Sequence, residues 1–552
     1  MAYFFYKINK HFFIFCQGSY QLEFNLILIH TKINSSRGKR SLKFRVKPFL
    51  MSQKKGEVMK IKIGITILGG TACSNDLTGS CYLLIIKRGK KEIKILIDVG
   101  LFQGDDYKSD KKNKSLLENL NPSCLDYVIL THSHLDHSGR LPLLIKEGFR
   151  GKILCTTTTA LLSQIMLVDS AKIQLSRTRA INKRLYKKDR CLKPLYNFTD
   201  VEKCKIFYKQ NGLPYNEWIK LDKGISLKFY NSGHILGGAI CVIRVDQCNY
   251  NHEPIYLGFS GDLGRNDNLI LPAPTEITEP INYWFMESTY GDRKHTNRES
   301  EIEFLTNLIN RAYQEKKKIL IPSFALERAQ EIIYLLSRLM HEKIIPALPI
   351  YLDSPLALEI TKLFSTHWKT DSLKSQETLP FNPLNPQENP YLHIIKNNME
   401  SSIQAFSSGP HIVIAGSGMC NAGRIRNYLK VNLDNPNTIV LLAGYMAKKT
   451  LGYKLKQGYP SVKIDGWNIQ VKAEIFSLKG FSSHADKNFL VEYTNAIFDR
   501  EDGFPDKKIF IVHGEEESGL SLKNQLHNTL NHGDWSKSIF IPELNQKICI
   551  FE

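Results

Sequence analysis

Three histidines and one aspartate fall within six residues, in the run Thr131-His132-Ser133-His134-Leu135-Asp136-His137. In an extended loop successive side chains alternate sides, so His132 and His134 project together and can chelate one metal ion. Asp136 and His137 follow as the chain turns into a helix expected to begin near Ser138, and they can face a second ion. Neutral imidazole and carboxylate suit zinc, or manganese where carboxylates dominate. A lone histidine is usually an ordinary surface or core residue, but burying four such groups without a metal would leave polar atoms unpaired. Two ions roughly 3.5–4 Å apart clamp a bridging hydroxide and a phosphoryl oxygen, so the chemistry to expect is hydrolysis. His234, Asp262 and His513 are candidates to complete both shells, although spacing alone leaves a structural role equally open for each. Asp262 is the best bridging candidate, since a carboxylate can offer one oxygen to each ion.

The elements that must position these groups share one regularity: short apolar runs end in a ligand-type residue. Tyr127–Leu130 leads to Thr131 and His132, strand 225–230 to Ser232-Gly233-His234, strand 255–260 to Gly261-Asp262, Tyr283–Met286 to Glu287, and Ile509–Val512 to His513. If these strands share a direction, their ends line one edge, where sites are commonly built. Strands are expected at Ile61–Leu68, Cys81–Lys87, Glu92–Ile97, Ile225–Tyr230, Ala239–Val245 and Ile255–Ser260, and helices at Arg140–Glu147 and about Thr159–Lys188. A second α/β stretch follows: helix Glu299–Lys316, strand Lys318–Pro322, helix Ala325–Leu339, strand Ile350–Leu352, helix Pro355–Thr366. Residues 367–400 show no period and read as a long excursion.

Composition bounds the partners. Over 552 residues, Lys plus Arg number 74 and Asp plus Glu 54, a net charge of +20. That surplus favours a polyanion, nucleic acid first and an anionic membrane second, although a solubility charge is the plain alternative. Residues 1–58 carry 11 Lys/Arg against 2 Asp/Glu, so +9 sits there. No clear period persists in that stretch, which reads as a basic tail or upstream extension. The 11 cysteines include no CxxC pair, which argues against a disulfide framework and a thiolate zinc site and fits a reducing, cytoplasmic setting. No apolar run reaches the length of a membrane span, and Phe12–Cys16 is too short for a signal-peptide core.

The segment Thr131–Gly139 resembles the metal-binding motif of the metallo-β-lactamase superfamily. Ser232–Gly237 and Phe259–Gly264 resemble its third and fourth motifs, and Asp98 in Ile97–Gly100 its first. Glu287–Arg293, Phe481–Asp486 and Val512–Glu515 resemble motifs A, B and C of the β-CASP branch, whose members process nucleic acids; Tyr351–Ala357 and Ala415–Cys420 also fit. The resemblance spans Met59 to Glu552 and is nearest to prokaryotic proteins similar to the endonuclease subunit of the cleavage and polyadenylation machinery. It implies that His132, His134 and His234 bind one zinc, that Asp136, His137 and His513 bind the other, and that Asp262 bridges. It also implies that Glu287 and His484 form a proton-transfer pair, and that a histidine at 513 marks an RNA-acting member. The sequence departs from the pattern at Glu327, where the family usually has Gly, at Lys448-Lys449, where it has Glu-Gly, and at Ser483, where Ala is common.

Two stretches are candidates for RNA contact. Residues 172–193 hold nine basic side chains against one acid, including Lys172, Arg177, Arg179, Lys183, Arg184, Lys187 and Lys188. Such a helix can track phosphates, or can simply be a solvated face. Ser417, Gly418 and Gly423 mark a turn whose amides could cradle a phosphate.

The expectation is therefore an α/β fold, a four-layer αββα metallo-β-lactamase sandwich at 59–288 and 481–552 with an inserted α/β domain at 289–480. Two zinc ions and a metal-bridging hydroxide would cleave single-stranded RNA, endonucleolytically or from the 5′ end, leaving 5′-phosphate and 3′-hydroxyl ends. Asp136, Glu287 and His484 are the expected catalytic residues. No membrane partner is expected, and a homodimer is left open. The rival readings are a hydrolase of thioesters or lactams and a non-catalytic RNA-binding scaffold.

Overall fold

In the computed structural model the chain divides into two compact units, Met1–Lys60 and Ile61–Glu552. The described residues are 61–551, apart from 74–77, 104–105, 119, 185–191, 210–211, 247–252, 371–372, 374–378, 479, 499–506 and 531–534, together with four backbone strands in the first unit. Those strands, Tyr3–Ile8, His11–Cys16, Ile27–Thr31 and Phe44–Pro48, pair antiparallel in chain order. This corrects the reading of 1–58 as lacking strand structure. The first two runs are rich in aromatic and β-branched residues, which favour strands, and only two residues separate them, the length of a tight hairpin.

The second unit is built on two face-to-face sheets. One has six strands in the order 547–551, 61–69, 81–88, 91–97, 127–129, 152–154; the other has seven, in the order 219–222, 225–231, 239–245, 255–259, 283–287, 508–512, 539–540. Strand Ile61–Gly69 shows how sequence dictates this packing: Ile61, Ile63, Ile65 and Ile67 alternate inward at period two and meet Phe229, Phe259 and Phe285 of the facing sheet. Strand Ala239–Val245 is apolar on both faces because both are covered: Cys241, Ile243 and Val245 face the other sheet, while Ile240 and Val242 face the outer helices. Helices Leu141–Lys146, Thr157–Arg184 and Phe198–Cys204 cover the first sheet, and Lys487–Phe498 and Glu516–Thr529 cover the second. The result is the expected αββα order.

Between strands 283–287 and 508–512, which pair in parallel, the chain leaves to form a third sheet. Its six strands are all parallel, in the order 392–394, 350–353, 412–415, 318–322, 438–442, 474–477. Helices 298–314, 328–341 and 355–367 cover one face and 398–406, 425–432 and 451–456 the other. Leu162, Ile235, Leu236, Ile270 and Leu271 of the sandwich enter the same core as helix 328–341, so the insert is docked through a continuous apolar contact. The segment read as an excursion contributes the edge strand Leu392–Ile394, and helix Asn398–Phe406 begins at its end.

Candidate metal centre

Asp98 is the anchor of the site. It follows strand Lys91–Ile97 with φ +56, a left-handed conformation uncommon outside glycine and a form of local strain that clusters at functional sites. Its carboxylate accepts hydrogen bonds from Thr131 N, Thr131 Oγ1 and His137 Nδ1, each at 2.8 Å. The Thr131 hydroxyl, having donated to Asp98, accepts from His132 Nδ1 at 3.1 Å. These bonds fix the tautomers, so that both His132 and His137 point Nε2 inward. Ser80 Oγ does the same for His513, lying 2.9 Å from its Nδ1. Such outer partners orient metal-ligating imidazoles and raise their basicity.

Asp136 and His137 lie on a helical turn, Leu135–Ser138, that begins three residues before the expected start. The turn packs against Gly100 so closely that a Cβ there would lie 1.5 Å from Asp136 O, which makes glycine obligatory.

The inward atoms divide into two groups around Asp262. Its Oδ2 lies 3.4 Å from Nε2 of both His132 and His234, and His134 Nδ1 stands 3.1 and 3.2 Å from the same two nitrogens. Its Oδ1 lies 3.1 Å from His137 Nε2 and 3.5 Å from His513 Nε2. Potential ligand atoms of His132, His134, His234 and Asp262 fall within 4.8 Å of one another, as do those of Asp136, His137 and His513. His137 Nε2 and Asp262 Oδ1 are buried without a hydrogen bond, an arrangement that a cation between them would satisfy. Burial, then neighbouring imidazoles, lowers the pKa of His132 and His234 and brings that of His134 down to about 3, which leaves these rings neutral with lone pairs available. His137 is the opposite case. Asp262 and Asp98 outweigh its burial and hold its pKa well above the ordinary range, so a proton and a metal ion compete for its Nε2.

Beside this cluster lies a second pair. Glu287 ends strand Tyr283–Glu287, is fully buried, and accepts from Leu263 N at 2.6 Å. Nδ1 of His484 lies 3.1 Å from both of its oxygens, and Nε2 of His484 lies 4.0 Å from Asp262 Oδ2. Sequence reasoning missed His295, whose Nε2 donates to His484 O at 2.9 Å and whose backbone N donates to Asp486 Oδ2 at 3.0 Å. The Tyr290 ring sits 4.7 Å from His295 and 6.1 Å from His484.

The RNA-contact candidates fare differently. Lys172, Arg179 and Lys183 are exposed on helix Thr157–Arg184, and Arg177 pairs with Asp110 at 3.4 Å. Lys187, Lys188 and the side chain of Arg184 lie outside the described residues. Ser417 and Gly418 form a turn in which Ala422 N donates to Ser417 Oγ at 3.2 Å. Two departures from the family pattern have a backbone consequence: Glu327 and Lys449 have φ +69 and +72, in the left-handed region that glycine enters without penalty.

Residues 88–256 match the metallo-beta-lactamase superfamily domain, residues 329–455 the Beta-Casp domain, and residues 468–542 the Zn-dependent metallo-hydrolase RNA specificity domain. The chain is 33% identical over 452 residues to Ribonuclease TTHA0252 of Thermus thermophilus, covering 81% of this chain and 93% of that protein. It is 27% identical over 478 residues to the transcription termination factor FttA of a Lokiarchaeum species, covering 85% of this chain and 69% of the relative. Eight cysteines among the described residues carry free thiols, and no described helix is long and apolar enough to cross a membrane.

Proposed function

The chain belongs to the β-CASP branch of the metallo-β-lactamase superfamily, and on that premise we propose that it hydrolyses RNA phosphodiester bonds with two zinc ions. The observation that carries this reading is the division of the ligand set by the two oxygens of Asp262, with the Glu287–His484 pair alongside. His132, His134 and His234 would hold one ion, and Asp136, His137 and His513 the other. Two bound divalent ions supply Lewis acidity and a lowered water pKa at the reacting phosphate. We assign the sandwich to 59–288 and 481–552 and the insert to 289–480.

The protein's own residues account for the proton. Hydrolysis expels a ribose alkoxide, a poor leaving group unless it is protonated as it departs. His484 is the acid we assign. Burial works against its charge, but Glu287, then Asp262 and Asp136, outweigh it and raise its pKa to about 9. Glu287 fixes the ring through Nδ1, which leaves Nε2 to meet the leaving oxygen. Asp98 and Ser80 hold His132, His137 and His513 in their ligating tautomers. Lys172, Arg179 and Lys183 would attract the phosphate backbone at longer range, and the turn at Ser417 and Gly418 would cradle a phosphate. The products expected carry 5′-phosphate and 3′-hydroxyl ends.

The test is metal-stripped protein reloaded with zinc or with manganese, assayed on single-stranded RNA and on a thioester. Two equivalents of zinc should bind and restore RNA cleavage only. Thioester turnover without RNA cleavage would reject the assignment, and so would full RNA cleavage with no metal.

A further inference from the structure

Three loops leave the carboxyl ends of adjacent parallel strands in the insert: Ser323–Phe324 after Lys318–Pro322, Gly416–Gly418 after Ile412–Ala415, and Gly444–Tyr445 after Thr438–Leu442. Open parallel sheets take their ligands at this edge. Two large aromatic side chains stand exposed there, Phe324 at 38% and Tyr445 at 49%. The Phe324 ring is seated on backbone. A Cβ at Gly418 would lie 2.7 Å from Phe324 Cδ2, and one at Gly444 would lie 3.1 Å from Cε2, so neither position admits a side chain without displacing the ring.

One loop of this edge reaches the segment that carries His513. Tyr445 Oη lies 3.4 Å from Glu515 Oε1, two residues beyond His513. Tyr290, whose ring neighbours His484, lies beneath the Arg293 guanidinium at 5.3 Å. Tyr290 and Arg293 both lie near enough to Tyr445 to act on its hydroxyl electrostatically, and Tyr445 follows Gly444, against which the Phe324 ring packs. Lys448 and Lys449 are exposed on the Tyr445 loop and add positive charge beside them. Aromatic faces alternating with cations match the alternating bases and phosphates of an unpaired strand.

We infer that Phe324 is a stacking platform for one unpaired base of the RNA strand, a few nucleotides from the bond that is cut. The inference rests on the RNA-hydrolysing reading and adds to it the element that selects unpaired substrate. A paired base has both faces covered by its neighbours and cannot lie on the ring. Tyr445 flanks the same path, and Lys448 meets an adjacent phosphate.

The test measures binding of the zinc-loaded full-length protein to a fluorescent single-stranded RNA 12-mer and to a set of 12-mers with one abasic site walked along the strand. His484→Ala serves as the background so that the RNA stays intact. Phe324→Ala should weaken binding of the intact strand about 5- to 150-fold, the usual span for one base–aromatic stack. At one position of the walk, loss of the base should weaken the parent by the same factor and leave Phe324→Ala unaffected. Phe324→Trp should retain affinity, and its fluorescence should be quenched by intact RNA but not by the strand abasic at that position. This second variant keeps the test decisive if Phe324→Ala fails to fold. Unchanged binding by Phe324→Ala, or equal sensitivity of parent and variant at every abasic position, overturns the inference and leaves the hydrolytic reading standing. A parent that binds no RNA at all overturns both.

Discussion

Glu287 and His484 are separated by 197 residues, yet His484 Nδ1 stands 3.1 Å from each carboxylate oxygen of Glu287. The pair forms because the insert leaves the sandwich at one and returns at the other. Leu263 joins the two points: its N donates to Glu287 Oε1 at 2.6 Å and its carbonyl accepts from Ala485 N at 2.8 Å, so the exit and return points lie together. His484→Ala should lose RNA turnover by about 10²- to 10⁴-fold, the range for a general acid, while keeping its metal content. On a nitrophenyl phosphodiester, whose leaving group needs little protonation, the same variant should recover toward the parent rate. Equal loss on both substrates, or loss of a metal, would remove His484 from this role. His295 is a positioning residue through the His484 carbonyl, so His295→Ala should show a milder form of the same substrate split.

Asp98 lies outside the proposed ligand set, but its carboxylate accepts from Thr131 N, Thr131 Oγ1 and the proposed ligand His137 through Nδ1. Asp98→Ala should therefore lower metal affinity about 10- to 100-fold, the usual cost of losing such an outer partner. His137 should be the ligand most affected, because its Nδ1 loses its acceptor at 2.8 Å. Competition with a chelator for zinc, measured on parent and variant, gives the ratio directly. An unchanged ratio would mean that Asp98 serves only the fold.

The candidate ligands were legible as a set because chemistry and chain geometry coincide. Four of them are packed into one short run, and His234, Asp262 and His513 each follow a strand with a clear apolar signature. His295 had no such signal, since Arg293-Lys294-His295 reads as an ordinary polar loop and its meaning comes only from the His484 carbonyl across the fold. The pairing of Arg177 with Asp110, 67 residues away, was invisible for the same reason. Strand Leu392–Ile394 is three residues long at a sheet edge, too short for a period to emerge from its polar surroundings. Strands 3–8 and 11–16 show no alternation of polar and apolar residues, so no period marks them in the sequence, although their aromatic runs carry strand propensity.

A chain beginning at Met59 should fold and keep its turnover, since residues 61–552 form a compact unit by themselves. RNA affinity should fall at low salt, because a surplus of +9 in 1–58 is removed. A plot of log affinity against log salt should then be shallower than for the full chain. Insolubility or loss of activity of this shortened chain would show that the first unit is needed for the fold.

The last prediction concerns Glu327, where two costs coincide. Its backbone has φ +69, which favours glycine, and its side chain is 1% exposed with neither carboxylate oxygen completing a hydrogen bond. The nearby guanidiniums do not satisfy it: Arg328 donates to Glu331 Oε2 at 2.6 Å, and Arg298 is bonded to the other oxygen of Glu331. Burial first, and then the Glu331 charge, raises the Glu327 pKa well above 4.5; Arg328 and Asn268 oppose this without overcoming it. A carboxyl whose pKa is higher folded than unfolded binds more protons in the folded state across that interval. Stability must then fall as pH rises above about 4.5, until the folded group itself ionises. Glu327→Gln removes the titration and keeps the shape. Its melting temperature should therefore exceed the parent's at pH 8 and converge on it toward pH 5. Glu327→Gly also relieves the left-handed backbone, worth about 1 kcal/mol, so part of its gain should persist at every pH. Calorimetric scans of the zinc-loaded parent and both variants at pH 5, 6.5 and 8 separate the two contributions. A Glu327→Gln gain that does not change with pH would show that the carboxylate charge is not the cost. A loss at pH 8 would show that the ionised group is held by Arg298 and Arg328 after all.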